Sequence, residues 1–134
     1  MKVKSATPVL FVDRVEATRD FFRKAGFEVA VEIPAGDAVG FALLAKDGFQ
    51  VMVETRGNEN ELPGVQKLSR QSRHAFVFIE VDDLDAVIAA FKDAKILAER
   101  HKTFYGSEEI TCEEPAGHMV TFAKFDRPQE RDGA

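Results

Sequence analysis

With 134 residues, 45% of them hydrophobic and 31% charged, the chain has the length and composition of a single globular domain with room for a real core. A net charge of −5, a pI near 5.2 and no dense Lys/Arg cluster argue against nucleic acid as a partner and favour a cationic or neutral ligand over a polyanion. One cysteine, Cys112, leaves no intrachain disulfide, and no apolar run reaches the length of a signal core or a membrane span; the expected location is the cytoplasm, with no membrane partner.

In chain order, Thr7 to Val12 reads as a strand and Arg14 to Lys24 as an amphipathic helix, with Ala25-Gly26 as its stop. Phe27 to Ile33 alternates strictly and enters a turn at Pro34-Ala35-Gly36-Asp37. Ala38 to Lys46 and Phe49 to Thr55 follow as strands across Lys46-Asp47-Gly48, where Asp-Gly is a strong hairpin signal. Arg56 to Ser72 is the longest polar stretch and reads as a linker, with room for a short helical turn around Val65 to Arg70. Beyond it, His74 to Val81 has the period of a strand, and Leu84, Val87, Ile88 and Phe91 line one face of a helix ending near Asp93, capped by Asp82 or Asp83. Strands are expected at Ile96 to Arg100, Glu109 to Glu113 and, after the Pro115-Ala116-Gly117 turn, His118 to Lys124. The tail from 126 to 134 is polar and expected to fray.

A constant shift of 69 positions superposes the two halves: Val12-Asp13 falls on Val81-Asp82, Phe22 on Phe91, Gly48 on Gly117 and Val51 on Val120. The chain therefore reads as one β-α-β-β-β unit written twice, at about 5–55 and 73–125, within a single domain spanning 1–134.

Two such units, each opening with a strand that ends in Val-Asp before an amphipathic helix, resemble the vicinal oxygen chelate superfamily of glyoxalases, extradiol dioxygenases and bleomycin-resistance-type proteins. Tyr105-Gly106-Ser107-Glu108-Glu109 and Glu114-Pro115-Ala116-Gly117-His118 are similar to signatures of its non-metal, resistance-protein branch, with Glu114 where Asp is usual and His118 where Asn is common. The resemblance implies an α+β fold, with two βαβββ modules in tandem forming a cupped mixed sheet around a central cleft. It also implies a homodimer, with or without exchange of modules between chains. Metal-dependent members place one ligand, typically His or Glu, on the first and last strand of each module. Those positions fall here on Thr7, Met52, Phe76 and Thr121, none an imidazole or carboxylate, so no metal and no cofactor is expected. His74 and Glu54 share strand parity with Phe76 and Met52, which leaves a displaced metal site as the alternative.

No other catalytic constellation stands out. There is no His-x-His or His-Glu-x-x-His spacing, Ser107 lacks a strand-to-helix elbow, and the glycines sit in hairpins rather than opening a helix. The acidic pairs Glu108-Glu109 and Glu113-Glu114 read as a solvated face, Cys112 as a buried structural thiol, and His118 as a residue that holds a chain reversal. What remains is a ligand face of Thr7, Val9, Phe11, Met52, Glu54, His74, Phe76, Phe78, Tyr105, Met119 and Thr121, apolar with polar groups at its edges. The expected function is metal-independent binding of an aromatic or cationic small molecule. The alternatives are a lyase, isomerase or oxygenase with a displaced metal site, and an interaction module whose sheets serve assembly.

Overall fold

The computed structural model describes residues 1–126; the rest of the tail, 127–134, lies outside them. The described chain falls into two compact units, Met1–His74 and the part from Ala75 onward. In the first, strand β1 (Val9–Val12) leads to helix α1 (Val15–Lys24), strands β2 (Glu28–Ala35), β3 (Ala38–Lys46) and β4 (Phe49–Thr55), and helix α2 (Pro63–Gln71). In the second, β5 (Phe76–Glu80) leads to α3 (Leu84–Ala90), β6 (Lys95–Lys102), β7 (Ser107–Glu113) and β8 (Met119–Phe125). Each unit carries a four-stranded mixed sheet, ordered β1-β4-β3-β2 and β5-β8-β7-β6, with the first pair parallel and the other two antiparallel. The α+β class and the tandem βαβββ plan are those expected. None of the described helices is long and apolar enough to cross a membrane.

The repeat survives in the hydrogen-bond register. Val9 pairs with Met52 and Leu10 with Val53, and 69 residues later Phe78 pairs with Thr121 and Ile79 with Phe122. Across the next hairpin the shift becomes 68, since Met52 faces Leu43 whereas Thr121 faces Thr111. The turns explain the slip. Lys46 pairs directly with Phe49 around Asp47 (φ 52°) and Gly48 (φ 83°), two left-handed residues as a tight hairpin demands, while Glu113 pairs with Met119 around a longer turn.

Helices α1 and α3 are each cemented to one sheet face by the residues that their period selects. Val15, Thr18, Phe21 and Phe22 of α1 are buried over Leu10, Val12, Ala42, Leu44, Val51 and Val53. The helix stops as expected: the Gly26 N–H (φ 92°) donates to the Arg23 carbonyl and the Phe27 N–H to the Phe22 carbonyl, with the Phe22 and Phe27 rings 5.6 Å apart sealing the turn. In the second unit Leu84, Val87 and Phe91 are buried with Ile110, Cys112, Val120 and Phe122, and the Phe91 and Phe122 centroids lie 5.0 Å apart. Of the two candidate caps Asp83 is the one used, its carboxylate accepting the Ala86 N–H at 3.0 Å.

Several boundaries move. The first strand begins at Val9, so Thr7 precedes it, and the fifth begins at Phe76, so His74 precedes it too. Helix α3 ends at Ala90 rather than Asp93, where the chain tightens into a turn, and Val77, Ile79 and Val81, expected beneath it, are only half-buried. β6 is longer than expected, and β7 starts at Ser107 rather than Glu109. The polar linker holds a nine-residue helix, α2, which starts with Pro63 in its first turn.

Candidate functional site

In each sheet one face carries the helix and the other does not, and alternation decides which side chains share the uncovered face. In the first unit, two rows cross that face. Val9, Met52, Leu43 and Val31 form one, and Phe11, Glu54, Phe41 and Ile33 form the next. Val9, Val31 and Ile33 are exposed, and Phe11, Phe41, Leu43 and Met52 are half-buried. Thr7 continues the line of Val9 before the strand begins, its hydroxyl 3.5 Å from the Gln50 side-chain carbonyl.

Glu54 is the anomaly of this face. It lies between Phe11 and Phe41, is only 7% exposed, and its Oε2 is enclosed with no hydrogen-bond partner. Burial first, then hydrogen bonding to and repulsion from the adjacent Glu61 carboxylate, together push its carboxyl up to about 7. Sequence reading placed Glu54 at an edge. The structure encloses it, because β1 and β3 flank β4 on both sides.

In the second unit the rows run Phe76, Met119, Glu113, Lys95; then Phe78, Thr121, Thr111, Ala98; then Glu80, Ala123, Glu109, His101. Phe76 and Phe78 are 74% and 53% exposed, and the Phe125 ring stands 6.4 Å from Phe78 and 6.2 Å from Tyr105. The face is wetter than the first. Thr111 and Thr121 join hydroxyls at 2.8 Å, and Glu109 accepts hydrogen bonds from the Tyr105 hydroxyl and from Ser107 Oγ at 2.8 Å. Ser107 in turn meets Thr103 Oγ1 at 2.7 Å. Bonding to Glu109 raises the pKa of the Tyr105 phenol.

The acidic pairs are not the solvated face that composition suggested. Glu108 and Glu113 pair with Arg100 and Lys95, but Glu109 and Glu114 are buried. Glu114 Oε1 accepts the N–H groups of Ala116 and His118 at 2.9 Å, fixing the turn around Gly117. His118 Nδ1 accepts the Ala75 N–H at 2.8 Å, so its side chain ties the turn to the entry of β5, and the chain reversal it was expected to hold is fixed by Glu114 instead. His74 is exposed and lies outside any strand, and His101 is exposed on β6. Cys112 is fully buried, and burial pushes its thiol pKa up.

Within each unit the structure brings together Val9, Phe11, Met52 and Glu54, and Phe76, Phe78, Met119, Thr121 and Tyr105. Phe41, Leu43, Ile33 and Phe125 belong to the same faces and were missed, although their parity in the alternating strands marks them. Two concavities lie elsewhere in the first unit. One of about 700 Å³ lies between α1 and β2 beside Arg19, Arg23 and Glu32, and one of about 450 Å³ is lined by Arg56, Gly57, Asn58 and Arg70. Charged and polar side chains dominate both, with Phe27 the single aromatic among their linings, whereas the sheet faces carry several aromatic rings, and the chemistry points to the faces.

The donor set does not fit a catalytic divalent ion. Thr7 and Met52 in the first unit, and Phe76 and Thr121 in the second, offer neither imidazole nor carboxylate, and no three His, Cys, Asp or Glu residues cluster as ligands among the described residues.

Residues 4–122 match the family model described as the Glyoxalase/Bleomycin resistance protein/Dioxygenase superfamily. Among solved structures, TioX from Micromonospora sp. ML1 is similar with a TM-score of 0.74 at 19% identity, over 92% of this chain and 99% of that one. A lactoylglutathione lyase from Agrobacterium tumefaciens gives 0.71 at 15% identity, over 92% and 96%. A bleomycin-binding protein complexed with bleomycin gives 0.62 at 17% identity, over 92% and 100%. No curated protein matches the chain.

Proposed function

Because the chain belongs to the glyoxalase/bleomycin resistance protein/dioxygenase superfamily, we propose that it is a small-molecule-binding protein of the bleomycin-resistance kind, sequestering an aromatic or cationic ligand without a metal. The observation that carries this reading is the pair of uncovered sheet faces, the first lined by Phe, Val, Leu, Ile and Met, the second presenting Phe76, Phe78 and Met119 among polar side chains, each with one buried carboxylate set into it: Glu54 in the first unit and Glu109 in the second. Flat apolar surface next to a few fixed polar groups is what small-molecule recognition needs. A protein of this fold has been captured with bleomycin, which supports a binding role. Sequestration needs no nucleophile, and the ligand-position chemistry argues against a metal-dependent lyase, isomerase or oxygenase.

The same reading makes the protein a homodimer acting in the cytoplasm, with apolar faces such as Phe76 and Phe78 covered by ligand or by a second copy rather than left to water. Thermal-shift and calorimetric titration against bleomycin and a panel of aromatic cations tests it. Saturable binding that weakens on Phe78→Asp is the expected result. Stoichiometric Zn, Ni, Mn or Fe in protein purified without chelators would overturn the metal-free assignment, and sedimentation velocity reads the oligomer.

A further inference from the structure

We propose that Glu54 and Glu61 form the recognition point for an organic cation, an ammonium or amidinium group carried on an aromatic ligand, with Phe11 and Phe41 as its walls. This deepens the small-molecule reading above and rests on it. Glu54 stands in the middle of an apolar row, flanked across the sheet by Phe11 on β1 and Phe41 on β3, with Ile33 beyond. It is more than nine-tenths buried, and its Oε2 has no donor. A carboxylate in that position is under-satisfied, and the neighbouring group is a second carboxylate, Glu61, which adds negative charge instead of relieving it.

Among the described residues no cationic side chain is paired with Glu54. Arg56 is committed to the Ser72 carbonyl at 3.3 Å and to Asp13, and Arg70 to Gln66 at 3.1 Å; Glu61 is the one charged group that bears on Glu54. The shift of Glu54 to about 7 follows, because a proton is the one positive charge the free site has to hand. An organic cation in its place would meet two carboxylates and two aromatic rings, the combination that favours ammonium and amidinium groups over neutral ones. Glu109 in the second unit shows the contrast: its carboxylate already accepts from Tyr105 and Ser107 and has no such vacancy for a charged donor.

Two fluorescent tricyclic probes of similar shape separate charge recognition from face recognition: proflavine, a cation at neutral pH, and acridone, which is neutral. The full chain is expected to bind proflavine roughly tenfold tighter than acridone, about one charge-assisted contact. Glu54→Gln should remove most of that preference and leave acridone within about twofold, Glu61→Gln should remove part of it, and Glu28→Gln, an exposed charge on the edge strand, should change neither. Acridone binding with proflavine no tighter, or a preference unchanged in Glu54→Gln, overturns the cation site and leaves the binding face standing. Failure of the wild-type chain to bind either probe overturns both.

Discussion

The two units share one topology and one register, yet they distribute charge over the uncovered sheet face in opposite ways. In the first, a carboxylate on β4, Glu54, lies between two phenylalanines on β1 and β3. In the second, the equivalent position is Ala123, and the positions equivalent to the two phenylalanines are Glu80 and Glu109. The consequence lies in the partners. Glu109 is met by two hydroxyls that arrive from its own strand and the preceding turn, whereas Glu54 is met by another acid. The helices differ as well: α1 has ten residues and α3 seven, and the cap equivalent to Asp83 is Arg14, which makes no side-chain cap bond. A duplicated scaffold thus keeps its helix-side core while its open face takes on different chemistry in each copy.

Substitutions that strike matched positions would break or sharpen this comparison. The largest effect should come from the shared core. Phe22→Ala and Phe91→Ala each remove a buried ring and should destabilise by about 3–5 kcal/mol in chemical denaturation. If the Phe91 variant proves nearly neutral, the correspondence of the two cores fails. Next comes the pH dependence of Glu54. Its folded pKa is raised above the unfolded value of about 4.5, so its protonated form favours folding fully at acid pH, and that contribution is lost as pH rises through about 7. Glu54→Gln should therefore match the wild type near pH 4, below the unfolded value, and exceed it at pH 8, by on the order of 1–2 kcal/mol after discounting for water around Glu61.

Capping gives a smaller and two-sided test. Asp83→Ala should lose about 1 kcal/mol, and Arg14→Asp should gain up to about 1 kcal/mol by giving α1 the cap it lacks. A gain absent from Arg14→Asp would mean that the entry geometries of the helices differ. The smallest effect is spectroscopic. Tyr105 is the one tyrosine of the chain, so absorbance near 295 nm reads its phenol alone; it should ionise above the ordinary range and return toward it in Glu109→Gln.

Most of the fold was legible because its signals are local. Alternation marked the strands, the Asp47-Gly48 pair announced a left-handed turn, Gly26 announced the helix stop, and the 69-residue shift gave the repeat. What escaped was set by tertiary pairing. Nothing in the sequence around Glu54 says that it is enclosed, since Phe11 and Phe41 reach it only after β1 joins β4 in parallel and β3 joins it in antiparallel. The burial of Glu109 and Glu114 was missed for a similar reason: their partners, the Tyr105 and Ser107 hydroxyls and the N–H groups of the Gly117 turn, become visible as such only when the turn is closed. Helix α2 is hard to see in the sequence because its residues make a polar average, although Pro63 sits where a helix begins.

Cys112 stands beneath α3 with no exposed surface, and it is the single sulfhydryl of the chain. An alkylating reagent can reach it only while the second unit is open, so the labelling rate divided by that of a free thiol reports the fraction of time this half spends unlatched. The chain carries its own chemical clock for one of its two halves.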